Sequence, residues 1–193
     1  MGTTEYLENA ELQSVIAPAL RYSHHSTVMK AGISIGSNLG NRMENLSQAC
    51  DLLCELSTDS RAVAASVYET EPVGCAPGTP SFFNTVVEIE TDLPPLDLLE
   101  QLQQFEEALG RPREHGYNAS RTIDLDLLYC GDVVMNEPTL TLPHPRLHER
   151  RFVLQPLAEI RPDLVIPGLG KTAAQLLAAL GESQPTKLAA KGW

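Results

Sequence analysis

The chain has 193 residues, a formal net charge of −11, and apolar and charged fractions of 42% and 20%. These values fit one soluble domain with a sizeable core. The acidic balance argues against a general nucleic-acid binder, and no apolar run is long enough to span a membrane. The first 29 residues are acidic and lack the apolar core of a secretory signal. We therefore assign residues 1–29 to an N-terminal arm of unknown role and residues 30–193 to a single domain.

Apolar periodicity and turn residues predict an ordered series of elements. In chain order these are a strand at 30–36, a helix at 42–56, strands at 61–71 and 82–91, a helix at 96–109, a strand at 121–129, a short partner strand near 133–135 and a helix at 172–180. The order is β-α-β-β-α-β, the ferredoxin-like arrangement of an α+β protein. We expect an antiparallel sheet with helices on one face and additional C-terminal helices over part of the other, which makes three layers (α/β/α).

The strand at 121–129 carries the clearest chemical signal. Asp124 and Asp126 alternate with Ile123 and Leu125, and alternate residues of a strand share a face. Two carboxylates on one face, roughly 6–7 Å apart by the strand rise, can share one or two hard cations. Arg121 precedes them and can reach the anion that such cations carry. The alternative is a pair of solvated acids on an edge strand.

The arginines are concentrated near this strand. Six of the ten are Arg111, Arg113, Arg121, Arg146, Arg150 and Arg151. Guanidinium forks match phosphate oxygens, so an acidic chain with such a segment is suited to binding one compact anion there. A solvated basic stretch is the alternative. Composition and spacing alone thus lead to a metal–polyphosphate enzyme and no further.

The four cysteines do not form a disulfide framework. Cys50 and Cys54 are four residues apart on a predicted helix, and Cys75 and Cys130 give no second pair at metal-ligand spacing. We expect buried free thiols in a reducing compartment.

Five segments in order resemble the 6-hydroxymethyl-7,8-dihydropterin pyrophosphokinase family of folate biosynthesis. They are IGSNLG at 35–40, SVYETEPVG at 66–74 with FFN at 82–84, Glu106 with LGR at 109–111, SRTIDLDLL at 120–128, and PHPR at 143–146 with Arg150 and FVLQPL at 152–157. The fourth segment is highly specific, and the resemblance extends from about residue 30 to the C-terminus.

The resemblance implies a transferase that moves the diphosphate of ATP to the hydroxymethyl group of 6-hydroxymethyl-7,8-dihydropterin and releases AMP. ATP would be the co-substrate, and Asp124 and Asp126 would hold two Mg²⁺. Transfer of this kind needs alignment and charge neutralisation more than covalent help. The catalytic positions that the resemblance implies are Arg111, Arg121, Asp124 and Asp126.

The resemblance also assigns the substrate contacts. The implied pterin-binding positions are Thr70, Val73, Phe82, Asn84 and Phe152. The implied ATP-binding positions are Glu106, Arg111, Arg113, Arg121, Leu127, Thr141, His144 and Arg150. Aromatic faces suit a flat heterocycle, and an amide suits its polar edge. Taken alone, Phe82 and Phe152 would be core residues and Asn84 a solvated one. Many family members have an aromatic residue where this chain has Asn118, with Tyr117 beside it.

Other classes remain as alternatives. A non-catalytic ferredoxin-like nucleotide-binding module would need an exposed aromatic sheet face or a basic surface. A metal-dependent phosphohydrolase would call for further carboxylate or His ligands near Asp124. A kinase that moves only the γ-phosphoryl group would be expected to carry a Walker-type loop, which the sequence lacks. We expect a cytoplasmic monomer whose partners are ATP and a reduced pterin, with no nucleic acid and no membrane.

Overall fold

The structure, a computed structural model, describes residues 27–72, 77–112, 119–181 and 185–193. The strands in these residues are β1 (Met29–Ser37), β2 (Ala62–Ala64), β3 (Val67–Thr70), β4 (Phe82–Thr91), β5 (Asp124–Cys130), β6 (Met135–Asn136), β7 (Thr141–Leu142) and β8 (Thr186–Ala190). The α-helices are α1 (Arg42–Leu56), α2 (Pro95–Ala108), α3 (Arg151–Ile160) and α4 (Ala173–Ala179). None of the helices in the described ranges combines the length and apolarity that crossing a bilayer requires.

The main sheet has the strand order β5-β1-β4-β3-β8, and β2 also pairs with β4. All of these pairs are antiparallel. Because β2 and β3 act as one interrupted strand, the elements from β1 to β5 follow the order β-α-β-β-α-β. The predicted ferredoxin-like α+β arrangement is therefore confirmed.

Helices cover both faces of the sheet, and the apolar residues form two cores. One core joins α1 and α2 to the sheet, and the other joins α3 and α4 to the opposite face. Strand β4 supplies Val87 to the first core and Val86 to the second, since successive strand residues face opposite sides. The three-layer arrangement is as predicted.

A bulge in β5 decides which side chains reach the second face. Gly32 of β1 pairs with Tyr129, whereas Ile33 pairs with Leu127, so Leu128 is an additional residue. Leu125 and Leu127 enter the core of α1 and α2. Asp124 and Asp126, which alternate with them, consequently lie on the face that α3 and α4 cover in part.

Some elements differ from the predictions. The strand at 61–71 is interrupted at Ala65 and Ser66, where the Glu159 carboxylate accepts from the Ser66 main-chain N–H. The prediction of a strand near 133–135 that pairs with β5 was wrong. The strand forms at Met135–Asn136 and pairs with β7. Strand β8 and the bounds of α3 were not predicted, and Pro156 inside α3 conceals that helix in the sequence.

The helix predicted at 172–180 is present as α4. The side chain of Thr172 caps it by accepting from the Gln175 main-chain N–H, and Gln175 reciprocates. Cys50, Cys54 and Cys130 are free thiols, as expected, but the predicted burial is correct only for Cys130, since Cys50 and Cys54 are half-buried. Cys75 and most of the arm at 1–29 lie outside the described residues.

Candidate active site

A row of paired residues crosses the sheet at the end where β1 finishes. Asn84 of β4, Gly36 of β1 and Asp124 of β5 are neighbours in register. A Cβ atom on Gly36 would lie 2.9 Å from Asn84 Oδ1 and 3.8 Å from Asp124 Cβ. Because 2.9 Å is closer than a Cβ atom normally approaches, only a glycine at position 36 leaves room for the Asn84 amide.

Asp124 and Asp126 are each held by arginines. Arg111 Nη1 donates to Asp124 Oδ1 at 2.6 Å, and Arg121 Nη2 donates to Asp124 Oδ2 at 2.6 Å. Arg150 Nη1 donates to Asp126 Oδ2 at 3.1 Å. These five side chains are between 11% and 35% exposed. The site thus combines two carboxylates with three guanidinium groups that a ligand can still reach.

Glu106 of α2 contacts this cluster through Arg111 and the main chain of β5. It pairs with Arg111, and its Oε1 accepts the Leu125 main-chain N–H at 2.7 Å. Burial raises the pKa of Glu106 to about 7, although the Leu125 N–H and the Arg111 charge act in the opposite direction. Glu106 therefore ties α2 to the start of β5 and holds Arg111 beside Asp124.

Polar and aromatic groups adjoin the cluster where β3 ends and β4 begins. Thr70 and Phe82 are paired in register, and both are buried together with Asn84. Asn84 Nδ2 donates to Thr70 Oγ1 at 2.7 Å. This bond fixes the amide with its Oδ1 close to Gly36.

Two of the arginines also contact aromatic rings. The Arg121 guanidinium carbon lies 5.5 Å from the centroid of the Phe82 ring. The Arg150 guanidinium carbon lies 5.5 Å from the centroid of the Phe152 ring. These cation–π contacts link the carboxylate cluster to the aromatic groups beside it.

A cavity of about 260 Å³ opens beside Asp126, and its walls include Leu127, Thr141 and His144. A second cavity of about 660 Å³ reaches Glu106 and Arg111. Leu99 and Thr139 line both cavities, so the two adjoin.

His144 is held in one orientation at the edge of the smaller cavity. Its main-chain N–H donates to the Leu128 carbonyl at 2.8 Å, and its Nδ1 accepts from the Arg146 main-chain N–H at 3.2 Å. Burial lowers the pKa of His144. A neutral ring whose Nδ1 accepts a hydrogen bond carries its proton on Nε2, which leaves that atom as a donor.

Residues 32–162 match the family described as 7,8-dihydro-6-hydroxymethylpterin-pyrophosphokinase (HPPK). The chain belongs to the HPPK family. A Bacillus subtilis relative is 45% identical over 130 residues, which cover 67% of this chain and 77% of that protein. A Pseudomonas aeruginosa relative is 39% identical over 153 residues, 79% of this chain and 92% of that protein. Both are named 2-amino-4-hydroxy-6-hydroxymethyldihydropteridine pyrophosphokinase.

Solved structures share the HPPK fold. Wild-type Plasmodium falciparum HPPK-DHPS with SDX-DHP superposes with a TM-score of 0.64 at 14% identity. The match covers 81% of this chain and 45% of that one. The A437G form with SDX-DHP gives a TM-score of 0.65 at 16% identity, covering 81% and 46%. These likenesses concern the fold alone.

The structure brings together most of the positions that the HPPK resemblance assigned, but not all lie in its described ranges. Val73 and Arg113 fall outside them, as do Tyr117 and Asn118. Sequence reasoning missed Gly36 and also Asn38, the first residue after β1. Both lie in the quoted segment at 35–40, but a single sequence does not show which strands flank that segment.

Proposed function

We propose that the cluster around Asp124 and Asp126 is where this HPPK carries out the reaction of its family. The chain is a pyrophosphokinase: it transfers the diphosphate of ATP to the hydroxymethyl group of 6-hydroxymethyl-7,8-dihydropterin, a step of folate synthesis. The observation that carries the assignment of the site is the convergence of two carboxylates and three arginines on one sheet face, beside two adjoining cavities.

The donor set fits Mg²⁺ brought with a polyphosphate. In the residues that the structure describes, no group of three or more His, Cys, Asp or Glu side chains is suited to holding a metal by itself. Mg²⁺ characteristically takes one or two carboxylates and completes its shell with substrate phosphates and water. We assign Asp124 and Asp126 to two Mg²⁺ ions. Bound there, the ions would supply charge neutralisation on the phosphates.

The arginines would serve the phosphates. Arg111, Arg121 and Arg150 now donate to carboxylates, and phosphate oxygens accept from guanidinium forks equally well. We infer that these donors turn from Asp124 and Asp126 to the phosphates as ATP binds. There they oppose the negative charge on the transferred group and keep it in line with the attacking oxygen.

The pterin would lie beside the start of β4. Phe82 and Phe152 offer stacking faces, and the Asn84 amide, oriented by Thr70, offers Oδ1 to an N–H on the polar edge of the ring. Gly36 places no side chain between Asn84 and Asp124, its two neighbours in register. Val73 stays a prediction for this contact.

The nucleotide end of ATP would occupy the adjoining cavities. Leu127 and Thr141 line the smaller cavity, and His144 offers its Nε2 proton there. Glu106 and Arg111 border the larger one. Four further points stay predictions. They are a phosphate contact by Arg113, the monomeric state, the cytoplasmic location and the single domain at 30–193.

The nucleotide product tests the proposal. With ATP, Mg²⁺ and 6-hydroxymethyl-7,8-dihydropterin, we expect AMP in step with the pterin diphosphate. Asp124→Asn should lower kcat by about 10³-fold, because charge stabilisation of this kind typically contributes that much. Asp132→Asn, which changes an exposed carboxylate in the turn after β5, should leave kcat unchanged.

Three outcomes would contradict the proposal. ADP as the product would indicate transfer of the γ-phosphoryl group only. Release of phosphate without consumption of pterin would indicate the phosphohydrolase alternative. Equal activity of the Asp124→Asn and Asp132→Asn variants would move the chemistry away from the aspartate pair.

A further inference from the structure

Asn38, the first residue after β1, has a side chain that contacts two distant parts of the chain. It is 2% exposed. Its Oδ1 accepts from the Arg121 main-chain N–H at 2.7 Å, and its Nδ2 donates to Ser120 Oγ at 3.1 Å and to the Pro80 carbonyl at 3.4 Å. The main-chain N–H of Asn38 also donates to the Arg121 carbonyl at 3.2 Å. Both ends of the amide are therefore used.

The partners of Asn38 lie at the ends of two connections that border the two proposed substrates. Pro80 lies near the end of the connection from β3 to β4, two residues before Phe82. Ser120 and Arg121 lie near the end of the connection from α2 to β5. One buried amide therefore joins the segment that leads into the proposed pterin site to the segment that carries a proposed phosphate ligand.

Asn45 of α1 also bonds to the segment around Arg121, but its other contacts differ from those of Asn38. Its Nδ2 donates to Ser37 Oγ at 3.0 Å and to the carbonyls of Leu39 and Thr122 at 2.9 Å each. It thus holds Thr122, the residue after Arg121, close to the end of β1. Among the contacts that the structure describes for these two asparagines, only those of Asn38 extend to Pro80.

We propose that Asn38 is a positioning residue for diphosphate transfer that acts through Arg121. By holding the Arg121 main chain and the Pro80 carbonyl together, it sets the guanidinium of Arg121 relative to the pterin beside Phe82. This inference depends on the proposed function, in which Arg121 contacts phosphate and Phe82 contacts pterin. A purely structural Asn38 would stabilise the fold without any specific link to Arg121.

A double-mutant cycle separates the two roles. We expect Asn38→Ala to lower the single-turnover rate of AMP formation by about 10²-fold, because a displacement of about 1 Å in a catalytic group costs that much. In an Arg121→Ala background the same change should cost less than about threefold, since the side chain through which it acts is absent. The same loss in both backgrounds would overturn the proposal.

Ser66→Ala is the matched control for buried hydrogen bonding. The Ser66 hydroxyl is buried and donates to Glu159 at 2.7 Å, away from both connections. Its removal should leave the single-turnover rate within about twofold of the wild type, since deletion of a hydrogen bond to a carboxylate outside the active site affects mainly stability. Equal losses of rate in Asn38→Ala and Ser66→Ala would assign Asn38 a structural role only.

Asn38→Asp gives a second test that keeps the side-chain shape. The carboxylate can still accept from the Arg121 N–H and from the Ser120 hydroxyl, but it cannot donate to the Pro80 carbonyl. We expect the KM for the pterin to rise about tenfold with a smaller loss of kcat, since the contact to the pterin side is the one that is lost. Unchanged KM and kcat would overturn the proposal even if Asn38→Ala fails to fold.

The two proposals fail in different ways. If the wild-type chain forms no AMP, or if Asp124→Asn stays active, the proposed function is wrong. If the wild type forms AMP and Asp124→Asn does not, but the cycle between Asn38 and Arg121 is additive, only the positioning role is wrong.

Discussion

Two glycines of β1 occupy equivalent places on the same sheet face, but their surroundings differ. Each is the middle member of a three-residue row across β4, β1 and β5, Glu88–Gly32–Tyr129 in one and Asn84–Gly36–Asp124 in the other. In both rows an acid and a hydrogen-bonding partner flank a position without a side chain. The rows differ in what fills the space above the glycine.

The space above Gly32 is filled by the protein itself. A Cβ there would lie 2.2 Å from the Tyr129 ring, whose hydroxyl donates to Glu88 Oε2 at 2.7 Å. Arg161 donates to both oxygens of Glu88 at 2.8 Å, and Lys30 lies 3.5 Å from it. The Glu88 side chain is only 4% exposed. Its charge therefore stays paired with Arg161 and Lys30 in the folded protein.

The space above Gly36 is occupied by a smaller group, the Asn84 amide, whose Oδ1 would lie 2.9 Å from a Cβ atom there. The other neighbour in this row, Asp124, has partners that can change. The Asp124 side chain is 20% exposed, and its partners are arginines suited to phosphate. The same feature, a glycine in β1 between two side chains of the neighbouring strands, therefore occurs in both rows. In each row the glycine makes room for a side chain of a neighbouring strand. At Gly32 this is the Tyr129 ring, and at Gly36 it is the Asn84 amide, which on our proposal binds the pterin.

The largest expected effect is that of Gly32→Ala. The added methyl would overlap the Tyr129 ring, which cannot yield easily because it is 1% exposed and bonded to Glu88. We expect the free energy of unfolding to fall by about 3 kcal/mol, at the upper end of overpacking costs. Urea denaturation measures it. A loss below about 1 kcal/mol would mean that this row is not rigidly filled.

Tyr129→Phe should have the next largest effect. It removes the hydroxyl that donates to Glu88 but keeps the ring and the Arg161 contacts. We expect a loss of about 2 kcal/mol in the free energy of unfolding, typical of a buried hydrogen bond to a charged group. The rate of AMP formation should not change at temperatures where the variant is folded. A specific fall in kcat would contradict the structural assignment of this row.

Gly36→Ala should affect binding instead of stability. The added methyl would approach Asn84 Oδ1 to 2.9 Å and displace the amide that we assign to the pterin. We expect the KM for the pterin to rise about tenfold, because one hydrogen bond of about 1.4 kcal/mol is lost or misdirected. The KM for ATP serves as the internal control. A rise in the KM for both substrates, or for neither, would show that Asn84 has no specific role in pterin binding.

Much of this contrast could not be obtained from one sequence. The Asp pair and the arginine segment were visible because strand alternation is local and because phosphate chemistry has a recognisable composition. Nothing local relates Gly36 to Asn84 or Gly32 to Tyr129, since each relation depends on strand register between segments far apart in the chain. The bulge at Leu128, which brings Tyr129 to the same face as Asp124, leaves no mark in the alternation of apolar residues.

The elements were predicted best where their patterns are self-contained. Helix α1 and strand β4 occur with the predicted bounds, because capping, apolar spacing and alternation all lie within each segment. Strand β8 is mostly exposed and forms only by pairing with β3, so its own composition does not identify it. For the same reason the partner of β6 was assigned wrongly.

The smallest expected effect is a pH dependence at the structural row. The Glu88 pKa lies below its ordinary value of 4.5: burial opposes this, but the bonds from Arg161 and Tyr129 and the nearby charges outweigh it. A carboxyl whose folded pKa is lowered stabilises the fold above its unfolded pKa, and this contribution is lost as the pH falls through the folded value. The free energy of unfolding should therefore decline below about pH 4.5. Glu88→Gln should flatten that decline, whereas Glu55→Gln on the exposed face of α1 should not. Equal acid sensitivity of the two variants would show that Glu88 is not held as a permanent charge, and the contrast between the two rows would then rest on shape alone.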